Sequence, residues 1–302
     1  MTVRPFSPAD LPLLDAAGGY ARQYGKNITR WMTDGYVEAA GCYVFDNGGA
    51  LLGGVCFRDD TSEEMDILDF AATEIAPDAH DWLAQALRQA AKPATRKVSY
   101  HLYDDTEQFG EIQRLFRRAG FYAAQEKLQY AYEKPEAPVC PDASRFDALR
   151  FKSIAETGEE MFVEMVERVT VGTLDKLMAD DAARLGSRRA AQEFVDSLKE
   201  IDFNPSWWQL AYAGDLPVGL ILSQRFSESL GAINYIGAPP EHRGRGYGLA
   251  LLAEGTRILV ESGITRVIAD IDIDNKPLAA ALERLGYVFK MEEVILSMEI
   301  PA

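Results

Sequence analysis

The chain has 302 residues, enough for two domains of ordinary size, and it is 47% hydrophobic and 26% charged, as folded globular proteins are. Lys and Arg number 31 against 47 Asp and Glu, so the formal net charge is −16. This charge repels nucleic acid and anionic membrane surfaces, so we expect neither as a partner and expect a small cationic molecule instead.

Disulfide, metal and membrane chemistry are also disfavoured. Cys42, Cys56 and Cys140 form an odd set without the close paired spacings of a zinc or redox motif, so we interpret them as reduced thiols. Three histidines are too few for a multi-histidine metal cage, and we expect no metal. No apolar run approaches the ~18–20 residues that cross a bilayer, and the first residues lack the apolar core of a signal peptide. We therefore expect a cytoplasmic protein.

A proline-rich segment divides the sequence into two halves. Three prolines fall within KPEAPVCPDAS, residues 134–144, where they cannot continue a helix or fill a central strand. We therefore predict a first domain over residues 1–134, a linker over 135–144 and a second domain over 145–302.

The order of structural signals repeats on the two sides of this linker. Each half is predicted to contain a strand, helices, an antiparallel hairpin, a strand, a helix, a strand, a helix and a closing pair of strands. Gly120 and Gly286 are 166 positions apart, and Gly54 and Gly219, interpreted as turn residues, are 165 apart. The alternative is that two unrelated domains share this order by chance. The nearly constant offset favours tandem copies of one α/β fold, each a mixed, mostly antiparallel sheet flanked by helices.

The strongest local motif is RGRGYG, residues 243–248, between a predicted strand at Ala232–Gly237 and a helix that begins near Leu249. Its alternating glycines lack the Cβ atoms that would block a ligand, and they let backbone N–H groups point inward at a helix start. Arg243 and Arg245 are placed to meet phosphates. The motif therefore predicts an anion cradle, although it lacks the Gly-Lys-Ser/Thr ending of a P-loop and the acidic ribose reader of a dinucleotide fold.

This segment resembles the coenzyme A signature of the GNAT N-acetyltransferase superfamily. That signature has Arg or Gln, two further residues, Gly, one residue, and then Gly or Ala, as in PPEHRGRGYGLALL. The sequence IDIDNKPLAAALERLGYVF then supplies the Asn, the helix and the closing Gly-aromatic pair. The close resemblance covers Ala232–Phe289, whereas the rest of both halves agrees only in the order of elements.

The resemblance implies an N-acetyltransferase that moves the acetyl group of acetyl-CoA to the amine of a small, cationic molecule. The pyrophosphate would lie on the backbone amides of Arg243, Gly244, Arg245, Gly246, Tyr247 and Gly248. The pantetheine arm would pair like an added strand with Ile236, Gly237 and Ala238. Asn275 would cap the next helix and face acetyl-CoA, or it would be a plain N-cap before Pro277.

The catalytic residues are less clearly marked. An amine must lose a proton before it attacks a thioester, so a base or a water relay is needed. Where the family carries Glu or His on the strand before the loop, this chain has Asn234, which is not a base but could orient a water. Asp270 and Asp272 alternate with Ile271 on the next strand, so we predict them on one face toward the substrate. The alternative is that these carboxylates are structural partners of other groups.

The general acid is unassigned. Leu282 stands where family members commonly carry a tyrosine, and its apolar helical stripe predicts a core position. Four apolar residues would wall the acceptor pocket or belong to the core: Met161, Phe162, Met165 and Phe194. Three acids would complement the charge of the acceptor or lie on solvated faces: Glu164, Glu167 and Asp175.

The first half has no glycine motif at the equivalent place, where FAATEIAPDAHDWLA carries Glu74, Asp78 and Asp81. These charges would repel a pyrophosphate, so we interpret this half as a degenerate copy. Two further functions remain open besides an N-acetyltransferase. One is a non-catalytic acyl-CoA sensor module, and the other is a specialised tandem acyltransferase resembling mycothiol synthase. We expect a monomer or a homodimer.

Overall fold

The computed structural model describes residues 1–73, 75–134, 136–138, 140, 146 and 148–301. Glu74 and most of the predicted linker, residues 135–144, lie outside the described residues. No helix in the described part of the chain is long and apolar enough to cross a membrane. The chain forms two compact units: unit 1 is Met1–Glu126 with Glu293–Ala302, and unit 2 is Lys127–Glu292.

Unit 1 is a mixed sheet with helices packed on it. Its strands are β1 (Thr2–Pro5), β2 (Cys42–Asp46), β3 (Leu51–Asp59), β4 (Glu64–Ala72), β5 (Lys97–Tyr103) and parts of β6 (Tyr122–Tyr132) and β12 (Val288–Glu299). Its helices are α1 (Leu11–Ala17), α2 (Gly19–Thr33), α3 (Ala79–Ala90) and α4 (Phe109–Arg118). In the order β1-β2-β3-β4-β5-β12, only the pair β4 and β5 is parallel.

Unit 2 repeats this arrangement. Its strands are β7 (Leu149–Ser153), β8 (Trp208–Ala213), β9 (Leu216–Arg225), β10 (Leu230–Gly237), β11 (Arg266–Asp272) and the remaining parts of β6 and β12. Its helices are α5 (Ile154–Thr157), α6 (Glu159–Thr170), α7 (Lys176–Leu185), α8 (Ser187–Lys199), α9 (Tyr247–Glu261) and α10 (Lys276–Leu285). In the order β7-β8-β9-β10-β11-β6, only β10 and β11 are parallel.

The shared order confirms the predicted fold class, two tandem α/β copies with mostly antiparallel mixed sheets flanked by helices. Two details of the prediction are wrong. Each half ends in one long strand of 11 or 12 residues rather than a strand pair, because no turn residue interrupts β6 or β12. Gly54 and Gly219 lie inside strands β3 and β9 rather than in turns, and a Cβ on either would lie under 3 Å from neighbouring atoms.

Strands β6 and β12 are each divided between the two units. β6 enters unit 2 at Lys127 and pairs antiparallel with β11, whereas β12 enters unit 1 at Glu293 and pairs antiparallel with β5. The compact units therefore do not coincide with the boundaries predicted at residues 134 and 145. Hydrogen-bond ladders decide which strands pack together, and the proline content of a connecting segment carries no information about them.

Helix α9 positions the glycine motif by packing closely on the sheet of unit 2. Leu251, Leu252 and Leu259 are fully buried, and they belong to the core that α9 and α10 form on this sheet. A Cβ at Gly255 would lie 2.4 Å from the Ile221 side chain, so this glycine permits the close approach of α9 to β9.

The strand that β12 contributes to unit 1 can be tested at Leu296, which is fully buried in the unit 1 core and faces Tyr100 of β5. We expect Leu296→Ala to lower the free energy of unfolding by about 2–5 kcal/mol, because it removes buried methyl groups and leaves a cavity. Leu13→Ala, at an exposed helical leucine of the same unit, should change it by less than about 0.5 kcal/mol. Urea unfolding, with hydrogen exchange of the β5 amides, measures both effects. Unchanged β5 exchange in Leu296→Ala would contradict the assignment.

Candidate active site

A β-bulge in β10 opens the sheet of unit 2. The register between β10 and β9 shifts between Ile233 and Tyr235, so Asn234 is the extra residue. The parallel pairing of β10 with β11 ends at Ala232, although β10 continues to Gly237 and β11 to Asp272. Beyond Ala232 the edge of β10 that faces β11 is outside the ladder, and two adjoining cavities lie along it.

The larger cavity has a volume of about 660 Å³, within the range of small-molecule sites. The end of β10, the glycine motif, the start of α10 and the loop after α6 line it. Nine of the ten residues predicted to bind acetyl-CoA are among its lining residues, namely Ile236, Gly237, Ala238, Arg243, Gly244, Gly246, Tyr247, Gly248 and Asn275. The tenth, Arg245, is not in the lining.

The glycine motif leaves open space where side chains would stand. Gly244 and Gly246 have φ values of +73° and +85°, a left-handed conformation that favours glycine. A Cβ at Gly244 or Gly248 would meet no atom within 4 Å, so a side chain there would project into open space. Helix α9 begins at Tyr247, two residues before the predicted start, with Gly246 as its N-cap. Backbone N–H groups at the start of this 15-residue helix therefore border the cavity, as an anion cradle requires.

The Arg243 side chain has partners within the protein. Its guanidinium donates hydrogen bonds of 2.7–3.0 Å to four backbone carbonyls, those of Val169, Val171, Gly172 and Ala238. It therefore ties the end of α6 to the end of β10, and its contact with phosphates stays a prediction. Arg245 is exposed and donates to the Glu241 carbonyl at 3.1 Å, so its phosphate contact stays a prediction.

Helix α10 supplies the opposite wall of the larger cavity. Asn275 is its N-cap, with its side chain accepting from the Leu278 N–H at 3.3 Å, as predicted, and it lines both cavities. Arg284, further along α10, also lines the larger cavity and was missed from the sequence. The helical spacing of Pro277, Ala281 and Arg284 is the signal that could have identified it.

The smaller cavity, of about 50 Å³, holds the three predicted catalytic residues together. Asn234, Asp270 and Asp272 all line it. Four residues belong to the lining of both cavities, namely Thr173, Ile236, Asn275 and Leu278, so the two spaces adjoin. A small reacting group could therefore sit beside the end of a long ligand in the larger cavity.

Asn234 and Asp270 have different surroundings. The Asn234 amide donates to the Gln224 side chain, which is itself buried and bound to backbone carbonyls at the end of α8. Asp270 is exposed, and it accepts from the Gln129 amide on β6 at 3.0 Å. The two carboxylates of the predicted acidic face of β11 therefore differ, because Asp270 is exposed and Asp272 is buried.

Asp272 is buried and lies beside a second carboxylate that the sequence had left open. Its Oδ2 accepts from the Lys176 N–H at 3.2 Å. Asp175 is the N-cap of α7, and its Oδ1 accepts from the Met178 N–H at 3.0 Å. Burial raises the pKa of Asp175, and the negative charge of Asp272 adds to the rise. Asp175 also lines the smaller cavity.

Leu282 is a core residue, and two buried tyrosines of unit 2 contact threonine hydroxyls. Leu282 is fully buried and lines the smaller cavity, which agrees with its predicted core position. The Tyr235 hydroxyl contacts the Thr170 hydroxyl at 3.2 Å, and burial raises the pKa of Tyr235 well above its ordinary value. Tyr287 contacts Thr256 at 2.6 Å and its pKa is raised by burial in the same way.

The residues predicted to wall an acceptor pocket belong instead to the core between α6, α8 and the sheet. Phe162 and Met165 are buried there, and Met161 and Phe194 pack against them. Glu164 is exposed and Glu167 pairs with Arg188 at 3.6 Å, and neither lines the two cavities. Asp175 alone of the three predicted acids reaches the site.

Unit 1 has the same opened sheet without the glycine cradle. The β3–β4 register shifts between Cys56 and Phe57, and the parallel pairing of β4 with β5 ends at Ile67. Among the described residues after β4, α3 begins at Ala79 behind Asp78, which makes no side-chain capping bond. The nearby cavity, of about 340 Å³, has no glycine in its lining.

The sequence of the second half is similar to those of known proteins. The family model "Acetyltransferase (GNAT) family" matches residues 174–287. A mycothiol acetyltransferase of Streptomyces scabiei is 34% identical over 122 residues, which is 36% of this chain and 40% of that protein. One from Catenulispora acidiphila is 25% identical over 170 residues, or 54% of this chain and 50% of that protein. The chain thus spans half or less of the length of these curated relatives.

Solved structures extend the likeness to the whole chain. A GCN5-related N-acetyltransferase from Sphaerobacter thermophilus has a TM-score of 0.61 at 18% identity, covering 100% of this chain and 96% of that one. A tandem GNAT protein from the clavulanic acid biosynthesis pathway has a TM-score of 0.53 at 13% identity, covering 100% and 99%. At such identities these structures establish the fold. The GNAT family model thus matches residues 174–287, and the fold of the whole chain is that of a tandem GNAT protein.

Proposed function

We propose that this protein is an acetyl-CoA-dependent N-acetyltransferase that acts on the amine of a small, cationic molecule. The observation that carries the proposal is the parting of β10 and β11 beside the glycine motif, where two adjoining cavities together reach from Gly248 to Asp272. One end of this space suits an anion, and the other end suits a cation.

The residues of the larger cavity fit acetyl-CoA. The N–H groups from Arg243 to Gly248 would hold its pyrophosphate at the start of α9, where the open positions of Gly244 and Gly248 leave room for it. The edge of β10 at Ile236 to Ala238, outside the ladder with β11, would bind the pantetheine amides as an added strand does. Bound acetyl-CoA supplies an activated acetyl group on a thiol leaving group.

The smaller cavity fits the amine. It is lined by Asp175, Asp270 and Asp272, so an ammonium group would be attracted to it. Its volume of about 50 Å³ suits the reacting group of an acceptor rather than the whole molecule. The two curated relatives described above are named mycothiol acetyltransferases, and an acceptor of related chemistry is therefore the first to test.

The proposal extends to the cellular compartment and to the oligomeric state. The negative formal charge of the chain and its GNAT-like fold favour a small-molecule acceptor in the cytoplasm rather than nucleic acid or a membrane. Nothing in the proposed reaction needs a metal. One copy of unit 2 holds the complete set of proposed residues, so a monomer or a homodimer would serve equally.

A non-catalytic acyl-CoA sensor is the second candidate, and the buried Leu282 favours it. This side chain cannot donate a proton to the departing thiol. An ordinary cysteine-like thiol has a pKa of about 8.5, however, so the thiolate is a tolerable leaving group without an acid. Turnover decides between the two functions.

We expect acetyl-CoA to bind once per chain and to be consumed when an amine is added. Calorimetry gives the stoichiometry, and thiol release with putrescine, glucosamine and 2-phenylethylamine as probes gives turnover. The physical reason for a single site is that the glycine cradle occurs in unit 2 and has no counterpart in the lining of the unit 1 cavity. Two equivalent sites would contradict the degenerate interpretation of the first half. Binding without turnover would favour the sensor.

Substitution at Gly248 tests the cradle. Gly248→Glu should abolish acetyl-CoA binding, because a side chain and a negative charge would occupy the space proposed for the pyrophosphate. The fold should persist, since an acidic residue in the first turn of α9 is favourable to the helix. Gly248→Ala is the matched control: it adds a methyl group without charge and should weaken binding far less. Calorimetric affinities and melting temperatures of the three proteins give the comparison, and equal affinity in Gly248→Glu would refute the placement.

A further inference from the structure

Two carboxylates from distant parts of the sequence meet at the start of α7. Asp175 comes from the loop before this helix and Asp272 from the end of β11, and both line the smaller cavity. We propose that Asp175 is the general base of the acetyl transfer and that Asp272 is a positioning residue that supports it. This inference rests on the proposed function and adds to it the group that removes the proton.

Backbone amides hold both carboxylates in place. Asp175 caps α7 through the Met178 N–H at 3.0 Å, and the Asp175 N–H donates to the Thr173 hydroxyl at 3.1 Å. Asp272 accepts from the Lys176 N–H at 3.2 Å, so it binds the same first turn of the helix. A base must be held in a defined orientation to receive a proton efficiently, and this arrangement provides one.

The position of Asp175 is more suitable than those of the other polar groups in the cavity. Asn234 has no basic group, and its amide is bound to Gln224. Asp270 is exposed and bound to Gln129. Tyr235 keeps its proton, because burial raises its pKa. Thr173, two residues before Asp175, lines both cavities, so Asp175 lies close to where the acetyl group and the amine would meet.

The surroundings of Asp175 raise its pKa, which makes it a stronger base. Burial raises its pKa, the Met178 N–H opposes this, Asp272 on β11 adds to the rise, and Lys127 on β6 opposes it. Of the other groups nearby, Tyr235 on β10 is neutral and Lys176 on α7 pairs with Asp180. A carboxylate of raised pKa is a stronger base than an ordinary surface aspartate.

The proposed step conserves atoms, electrons and charge. Ionised Asp175 accepts one proton from the bound ammonium group, and the nitrogen lone pair forms the bond to the acetyl carbon. The carbon–sulfur bond breaks, and its electron pair leaves with the sulfur. The second proton of the nitrogen passes to the thiolate, and the proton on Asp175 passes to solvent. The products are the amide, the free thiol and one released proton.

Asp175→Asn is the decisive variant, because Asn caps helices as well as Asp does and only the base is lost. We expect kcat for the best of the three probe amines to fall about 10²–10⁴-fold, with acetyl-CoA affinity within about twofold of wild type by calorimetry. The acidic limb of the kcat profile, where activity falls as pH drops and Asp175 becomes protonated, should disappear. Asp175→Ser, which also caps, is the second variant if Asp175→Asn does not fold.

The control is Asp180→Asn. It removes an exposed carboxylate from the same helix and should keep wild-type kcat.

Asp272→Asn tests the positioning role. Removing this negative charge should lower the pKa of Asp175, so the acidic limb should move to lower pH, and the carboxyl carbon signal of Asp175 in NMR should titrate at lower pH in the ligand-free protein. If Asp272 had a purely structural role, the midpoints of the acidic limb and of the NMR titration would not move. That result would overturn the positioning role of Asp272. Wild-type kcat in Asp175→Asn would overturn the general base while leaving the proposed function intact. Acetyl-CoA binding without turnover in the wild-type protein would overturn both.

Discussion

The end of the β10–β11 ladder at Ala232 is the constraint on which the site depends. Two parallel strands that paired along their full length would leave no space between them, and their backbone groups would satisfy each other. The bulge at Asn234 changes the direction of β10, and the strands separate. One sheet edge thereby becomes available to an extended ligand, and the carboxylates of β11 border a cavity. A single extra residue in a strand creates both halves of the proposed active site.

Local signals of the sequence predicted local features well. The glycine motif, the Asn275 cap and the Leu282 core position each depend on neighbours within a few residues, so their patterns were sufficient. The carbonyl partners of Arg243 were not predicted, because a guanidinium binds carbonyls as readily as phosphates. Its partners near Val169 lie more than 70 residues away in the chain, where no local pattern could indicate them. For the same reason the sequence could not distinguish Asp175 from Glu164 and Glu167, since the surroundings of Asp175 include Asp272, which is almost a hundred residues away on β11.

Unit 2 has both an opened sheet and a glycine motif, whereas unit 1 has the opened sheet without the motif. Its sheet carries the same register shift and the same early end of the parallel pairing, at Ile67, so opening the sheet does not require the glycine motif. The segment before α3 offers Pro77 and Asp78 where unit 2 has open glycine positions. The opened sheet therefore belongs to the fold, and the anion cradle is an addition at one loop. In a tandem protein such a loop can be lost from one copy while its packing is retained.

The pairing of β5 with the distant strand β12 also determines when unit 1 can finish folding during synthesis. β5 receives its antiparallel neighbour from Glu293–Glu299, which the ribosome makes after all the strands of unit 2. Until then the edge of β5 is uncovered, and an uncovered strand edge is prone to pair with other chains. The contact joins residues nearly two hundred positions apart in sequence, so its closure is slow compared with that of the hairpins. Unit 1 must therefore wait, partly assembled, until residues 293–299 have been made, and the risk that the open edge of β5 pairs with another chain is concentrated in that interval.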